Sequence, residues 1–345
     1  MSILWCIFAF NIILRMKKYL LLLFAAVFVS CTSEKKTQIV QLEGFVFGTT
    51  YHITFLNDSP NTFQKSIDSV FYLMNKSLST YIPASKISKI NAGDTTVVID
   101  AYLEEVLQKS KRIYAETDGY FDPTVGNLVN AYGFGAKELK KEIDSATIFQ
   151  MMQFVGFDKI SVKNNTILKE DPKIYFDFNS IAKGFGVDVV GRLLETKNIT
   201  NYLVEIGGEI RARGKNKKDQ FWTVAIEKPN TDGSQSIQTT ISLENESMAT
   251  SGNYRKFRIT KEGKKYVHTV NPKTGFATES NLLSASVMSQ SDCADVDAYA
   301  TAFMAMGLEK TKQFLKKKPN VHVVLLFLDN KGNIKEYNSK KQRSL

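Results

Sequence analysis

Two segments far apart in the chain carry residues that could bind phosphate and a divalent cation. Residues 177–184 run from the end of an apolar strand into a helix, and residues 297–301 lie on a second predicted helix. Asp297 and Thr301 are four residues apart, so a helix places both side chains on one face. Carboxylate and hydroxyl oxygens suit Mg²⁺, which keeps several waters and takes one or two carboxylates plus substrate phosphates. A solvated or helix-capping pair is the alternative reading.

The neighbouring charges allow more than one assignment. Asp292 and Asp295 are rival metal ligands, although acidic residues at a helix start are also favoured by the helix dipole. Lys183 lies at a helix start, where a cation is unfavourable unless an anion such as a pyrophosphate binds there. An exposed lysine with no ligand is the alternative. The pattern therefore predicts a metal–phosphate site centred on Asp297 and Lys183.

A histidine could supply proton transfer. His268 ends a predicted strand, just before a turn at 271–275. Imidazole changes its charge near neutral pH, so His268 is our candidate general base, with the Asp297 carboxylate as its rival. A lone histidine on a strand can equally be structural.

Several other functions are disfavoured. The glycines near residue 184 do not complete a Gly-x-Gly-x-x-Gly fingerprint, which disfavours a Rossmann domain. The three histidines are isolated from one another and from cysteines, which disfavours a zinc site. The formal net charge of +10 comes from scattered lysines without a basic-aromatic module, so we expect no nucleic-acid partner.

The segments that must position these residues show helical periodicity of apolar residues in some stretches and strand periodicity in others. Helical stripes are predicted from Phe63 to Leu78 and from Ala101 to Ala115, whereas the chain from Asn201 to Ser289 is rich in strands. One strand face is predicted from alternating residues between Phe45 and Phe55, including Phe47, Tyr51 and Ile53. Successive strands with short turns favour antiparallel sheets, so the predicted class is α+β with flanking helices.

Eight blocks, in order, cover nearly the whole chain after residue 43. They are Phe47–Tyr51, Leu78–Asn91, Thr117–Gly135, Asp177–Gly184, Val204–Gly208, Thr250–Gly252, His268–Gly275 and Ala294–Gly307. Together they resemble the ApbE-type FAD:protein FMN transferases. The resemblance implies an ApbE-like fold of two intertwined subdomains. One position departs from the family pattern, because Asn271 stands where an aspartate is usual.

The resemblance also implies roles for particular residues. The backbone carbonyl of Ser180 would join Asp297 and Thr301 as a third metal ligand. The expected FAD-binding residues are Phe47, Tyr81, Tyr120, Phe121, Asp122, Asp177, Lys183 and Val270. From the residues alone, Asp122 could be a turn residue, and Phe47 and Tyr81 could be core residues.

The activity implied by the resemblance is Mg²⁺-dependent transfer of FMN from FAD to a threonine hydroxyl of an acceptor protein, with release of AMP. The implied acceptors are flavoprotein subunits of membrane redox complexes of the Na⁺-pumping NADH:quinone reductase or Rnf kind. Two alternatives stay open. An FAD pyrophosphatase would give FMN and AMP, and a non-catalytic lipoprotein would bind FAD without turnover.

The N-terminal region predicts export. A basic start at Met16 and an apolar run to Val29 precede Cys31, so residues 1–30 read as a signal segment whose true start is Met16. Cys31 is the predicted lipidated residue, residues 31–42 a tether and residues 43–340 the flavin transferase domain. We expect a lipid anchor in the inner membrane facing the periplasm. An ordinary secretory signal or one long hydrophobic anchor is the alternative.

Overall fold

The computed structural model describes residues 37–59, 61–137, 143–228, 236–253, 257–259, 265–277 and 280–342. The predicted signal segment, with Met16 and Cys31, lies outside these residues. Gln38–Leu345 forms one compact unit. Its first strand begins at Gln38, inside the range 31–42 that we assigned to the tether. Among the described helices, none is long and apolar enough to span a membrane.

Nine helices occur in the described part of the chain. They are α1 (Gln64–Leu78), α2 (Lys86–Asn91), α3 (Ala101–Glu116), α4 (Gly126–Ala131), α5 (Ser145–Met152), α6 (Ala182–Thr196), α7 (Cys293–Met306), α8 (Leu308–Lys317) and α9 (Ser339–Gln342). Side-chain caps set several of the starts. Asp100 accepts a hydrogen bond from the Leu103 amide, and Asp144 accepts one from the Thr147 amide.

Fourteen strands lie between and beyond these helices in the described ranges. They are β1 (Gln38–Val46), β2 (Thr49–Asn57), β3 (Ile160–Lys163), β4 (Thr166–Lys169), β5 (Tyr202–Ile206), β6 (Glu209–Arg213), β7 (Trp222–Glu227), β8 (Ile237–Leu243), β9 (Ser247–Gly252), β10 (Phe257–Ile259), β11 (Lys265–Val267), β12 (Leu282–Ser289), β13 (His322–Leu328) and β14 (Ile334–Asn338). Eight form one sheet, in the order β1-β2-β5-β6-β9-β12-β13-β14, and every neighbouring pair is antiparallel. The predicted α+β class with antiparallel sheets is confirmed.

The single strand face predicted from Phe45 to Phe55 is wrong. The segment is a hairpin whose two-residue turn is Phe47–Gly48, both at positive φ (52° and 78°). Paired strand residues share a face, and Phe45 pairs with Thr50 while Tyr51 pairs with Gly44. The turn therefore moves Phe45 to the face opposite Tyr51, and Phe45 is 86% exposed.

The largest apolar cluster joins one face of the sheet to helices α1, α3, α6 and α7. Helix α7 is the most enclosed of them, since eleven of its fourteen residues are buried. A polar side chain on this helix therefore lies inside the protein, and Asp297 is one of them. Burial of a carboxylate is costly unless it is hydrogen-bonded, paired or bound to a cation.

Candidate active site

One cavity of about 1080 Å³ brings together every residue to which we assigned a site role. Its walls come from the β1–β2 turn, α1, the loop before α4, the start of α6, β6, β9, the segment after β11, and α7. The predicted residues that line it are Phe47, Tyr81, Tyr120, Phe121, Asp122, Asp177, Ser180, Lys183, His268, Val270, Asp297 and Thr301. Their roles remain predictions, but their shared location is a property of the fold.

Asp297 is 3% exposed and is tied to the start of α6. Its Oδ2 atom accepts a hydrogen bond from the Gly184 amide at 3.0 Å. Its Oδ1 atom accepts no hydrogen bond from the described residues. Burial raises the pKa of Asp297, whereas the Lys183 ammonium and the Gly184 amide work in the opposite direction. A bound cation would offset the same burial, because it stabilises the ionised carboxylate.

The proposed metal ligands form a sparse oxygen set. Thr301 lies one turn beyond Asp297 on α7, and its hydroxyl is 3.2 Å from that of Ser251. Ser180 lines the same cavity just before α6. One carboxylate and two neutral oxygens fit Mg²⁺, which retains waters, better than they fit zinc. The described residues contain no group of three or more His, Cys, Asp or Glu side chains that could hold a metal ion.

The two rival ligands are engaged elsewhere. Asp292 lies 2.7 Å from the Lys109 ammonium and 2.9 Å from the Arg211 guanidinium. Asp295 lies 2.6 Å from the Arg112 guanidinium. Neither rival lines the cavity. Their charges are therefore neutralised by ion pairs outside it, which leaves Asp297 as the acidic member of the predicted set.

Lys183 has a partner that we did not predict. Its ammonium lies 2.5 Å from Oε1 of Glu209, the first residue of β6. Burial disfavours the charged lysine, but Glu209 and Asp297 outweigh this effect and raise the pKa of Lys183. Burial also raises the pKa of Glu209, and the Lys183 charge partly counters it. The polar wall of the cavity thus carries one ammonium that interacts with two carboxylates, Glu209 directly and Asp297 at longer range.

Helices α6 and α7 are held in register by a second contact. Asp188, which is fully buried on α6, accepts hydrogen bonds from the Cys293 and Ala294 amides, both at 2.8 Å. These amides begin α7, and a helix start otherwise lacks internal acceptors. Asp188 therefore caps α7 from another helix and fixes its axial position. Together with the Gly184–Asp297 bond, this places the proposed metal ligands.

The predicted FAD-binding tripeptide is built into its loop. Both carboxylate oxygens of Asp122 are occupied, since Oδ1 accepts from the Thr124 amide and hydroxyl and Oδ2 accepts from the Phe157 amide. Burial raises the pKa of Asp122 to about 6. Phe121 is 1% exposed and packs in the main core. Tyr120 is more open, and the Lys310 ammonium lies 4.7 Å from its ring centre. Asp122 therefore orders the loop, and Tyr120 is the more accessible side chain.

The remaining candidates form aromatic and apolar walls. Phe47 stacks edge-on against Phe71 with ring centres 5.7 Å apart, whereas Tyr81 is 57% exposed at the mouth. Val270 is buried. The His268 ring packs edge-on against Phe134 at 6.4 Å. Such walls suit a planar ring system such as a flavin.

Asp177 is buried where the chain enters α6. Its Oδ1 atom accepts a hydrogen bond from the Asn179 amide at 2.8 Å. The segment before it is clamped by Asn91, which exchanges two hydrogen bonds of 2.8 Å with the backbone of Phe176. Ser180 and the start of α6, which carries Lys183, are thereby held in place.

Sequence reasoning missed Glu209 and the hydroxyl group of Ser251. Glu209 directly follows the Val204–Gly208 block, and Ser251 lies within Thr250–Gly252, so both were next to recognised motifs. A signal for Glu209 existed in the unmatched cation of Lys183, which needed an anion nearby. Glu209 lies 26 positions after Lys183 in the sequence, so the sequence alone did not indicate that the two residues pair.

Comparison with known proteins gives one consistent family. The model of the ApbE family matches residues 47–325. A relative from Haemophilus influenzae named FAD:protein FMN transferase is 36% identical, covering 89% of this chain and 91% of its own. A Vibrio cholerae protein of the same name is 34% identical over 89% and 92% of the two chains.

Solved structures agree with the sequence relatives. The flavin transferase ApbE from Vibrio cholerae superposes with a TM-score of 0.79 at 31% identity, covering 90% of this chain and 99% of that one. The apo form of the flavinyl transferase ApbE from Pseudomonas stutzeri also gives 0.79, at 26% identity over 90% and 97%.

Proposed function

The chain belongs to the ApbE family, and we propose that it transfers FMN from FAD to a threonine hydroxyl of an acceptor protein and releases AMP. The observation that carries this proposal is the single cavity that unites all twelve predicted residues, with Lys183 and Asp297 on its polar wall. Its volume is that of a large-ligand pocket. Aromatic walls for the rings and a charged wall for the pyrophosphate match the two halves of the substrate.

The proposed reaction is a displacement at phosphorus. The threonine oxygen forms a new bond to the FMN phosphorus, the anhydride P–O bond breaks, and AMP leaves with the bonding electrons. The hydroxyl proton passes to a base, for which His268 is our candidate and Asp297 its rival. Such reactions depend mainly on positioning and charge neutralisation. Lys183 would neutralise a phosphate oxygen.

The donor set also supports a metal in this reaction. Asp297, Thr301 and the backbone carbonyl of Ser180 would hold Mg²⁺, which would supply Lewis-acid stabilisation of the pyrophosphate charge. The carboxylate of Asp297 is oriented for this role by the Gly184 amide. Ser251 would orient the Thr301 hydroxyl in the same way.

The leader sequence and the family resemblance support a proposal for the acceptor and the location. We propose that the acceptors are extracytoplasmic flavin subunits of Na⁺-pumping NADH:quinone reductase or Rnf complexes. A lipid on Cys31 would hold the enzyme at the periplasmic face of the inner membrane. Cys31→Ser should abolish incorporation of labelled fatty acid and release the protein from membranes. Unchanged labelling and membrane partition would contradict the anchor.

Incubation with FAD, Mg²⁺ and a co-purified acceptor subunit tests the reaction. We expect a fluorescent flavin band on the denatured acceptor, an FMN mass increment on one threonine, and AMP in equal amount. Omitting the acceptor should stop AMP release. Rapid AMP release without acceptor would indicate the pyrophosphatase instead, and tight FAD binding with no AMP in either reaction would indicate a binding protein.

A further inference from the structure

We propose that Glu209 is a positioning residue that holds the Lys183 ammonium, charged and in one place, against the pyrophosphate of FAD. This inference rests on the proposed function. The two side chains differ in exposure: the Glu209 side chain is 3% exposed and the Lys183 side chain 30%, and both line the cavity. The carboxylate therefore lies beneath the ammonium, and the ammonium faces the space where a ligand binds.

Among the described residues, neither side chain forms a second salt bridge. The Glu209 carboxylate forms its ion pair through Oε1, and its buried Oε2 atom has no hydrogen-bond partner among the described residues. Lys183 has no other salt bridge in that part of the chain. A flexible lysine samples many rotamers and loses conformational entropy when it binds a phosphate. A lysine that is already held by Glu209 loses little further entropy on binding. Fixed charges of this kind stabilise a transition state most effectively.

A second ion pair fixes the frame of the first. Arg211, two residues after Glu209 on β6, lies 2.9 Å from Asp188 on α6. Residues two apart in a strand share a face, so Glu209 and Arg211 both point at α6. Two ion pairs therefore link the strand to the helix. Glu209 of β6 pairs with Lys183 of α6, and Arg211 of β6 pairs with Asp188 of α6. The Arg211–Asp188 pair fixes the position of α6 relative to β6, and it thereby fixes the position of Lys183 relative to Glu209.

The test is a double-mutant cycle on the full-length protein with Glu209→Gln, Lys183→Met and the double variant. Glu209→Gln should lower kcat for FMN transfer by about 10-fold or more, with a smaller change in KM for FAD. Lys183→Met should cost at least as much. In the Lys183→Met background, Glu209→Gln should cost less than about 2-fold, because Glu209 acts through the lysine. In the Lys183→Met background, Glu209→Gln should raise the melting temperature, since it removes a buried carboxylate that has lost its ion-pair partner.

Two further variants separate positioning from folding. Glu246→Gln removes a buried carboxylate paired with Lys340 at 3.0 Å, away from the cavity, and should leave kcat and KM unchanged. The exchange Lys183→Glu with Glu209→Lys restores an ion pair and should restore the melting temperature without restoring kcat.

Three outcomes bear on the inference. A normal kcat in Glu209→Gln, or full additivity with Lys183→Met, would overturn the positioning role. If the wild-type protein transfers no FMN to any acceptor, the proposed function fails. In that case, the double-mutant cycle is evaluated from the affinity of each variant for FAD. There, a loss in Glu209→Gln that disappears in the Lys183→Met background supports the inference, and additive losses overturn it.

Discussion

A hydrogen bond from the amide of Gly184 to the carboxylate of Asp297 joins α6 to α7 where the two helices are in tight contact. A Cβ atom at residue 184 would lie 2.5 Å from the Cys293 carbonyl oxygen and 2.8 Å from the Asp297 Cβ. Both of these obstacles belong to α7, and one is backbone. The absence of a side chain at Gly184 is therefore what allows its amide to reach the proposed metal ligand.

Gly184→Ala should separate α6 from α7. We expect the free energy of unfolding to fall by about 2 kcal/mol or more, as in other overpacked cores, despite the better helix propensity of alanine. Gly186→Ala is the matched comparison, because its Cβ would meet only a ring edge of Phe47 closer than 3.4 Å. Urea denaturation of both variants checks this. Equal losses at the two positions would contradict a tight contact specific to Gly184.

Asp297→Ala should abolish FMN transfer and its Mg²⁺ dependence. Loss of the anionic ligand removes several kcal/mol of charge stabilisation, so activity should fall more than about 100-fold. Thr301→Ala should be milder, since water can replace a neutral ligand. The control is Asp295→Asn, which removes an ion pair with Arg112 and should retain Mg²⁺ dependence. Wild-type metal titration in Asp297→Ala would place the metal elsewhere.

Asp122 should make stability fall as pH rises. Its folded pKa is about 6, above the ordinary 3.8, so the folded state keeps a proton that the unfolded chain has lost. Between about pH 4 and pH 6 this group should reduce the free energy of unfolding by up to about 3 kcal/mol. Asp122→Asn lacks this titration. The stability of wild type minus that of the variant should therefore decrease from pH 4 to pH 7, and a constant difference would show that Asp122 has an ordinary pKa.

His268→Asn tests the general base. If His268 accepts the threonine proton, FAD should bind almost normally while the saturated rate falls by on the order of 100-fold. The acid limb of the pH–rate profile, which requires a neutral imidazole, should disappear. Stopped-flow binding and pH-dependent turnover on the same variant supply both readouts. A normal saturated rate with weaker FAD binding would assign His268 to nucleotide contact and leave Asp297 as the base.

The parts of the structure that follow local patterns could be predicted from the sequence. Helix α3, predicted over 101–115, occurs at 101–116 because its apolar stripe and its Asp100 cap are both local signals. The hairpin at Phe47–Gly48 was missed because the alternation of apolar residues in the sequence continues through the two-residue turn. In the structure, the alternating residues before the turn lie on the opposite face of the sheet from those after it. The glycine that marks it is compatible with either reading.

The site was predictable as a set of motifs but not as a network. The cavity contains all the chosen residues because each motif could be recognised alone. Glu209 and Asp188 were missed because their partners are brought near only by the fold: Lys183 for Glu209, and Arg211 and the start of α7 for Asp188. The family motif already favoured Asp297 over Asp292 and Asp295, and the cations that face those two residues give the structural reason why they do not line the cavity.

The walls of the cavity extend in sequence from Phe47 to Thr301, and this has a consequence for biogenesis. No fragment that ends before α7 contains the complete polar wall, because it lacks Asp297, and none that begins after the first hairpin contains the complete aromatic wall, because it lacks Phe47. Contacts of such long sequence separation form late and slowly during folding. We therefore expect flavin to bind only after synthesis is almost complete and both ends of the domain have come together.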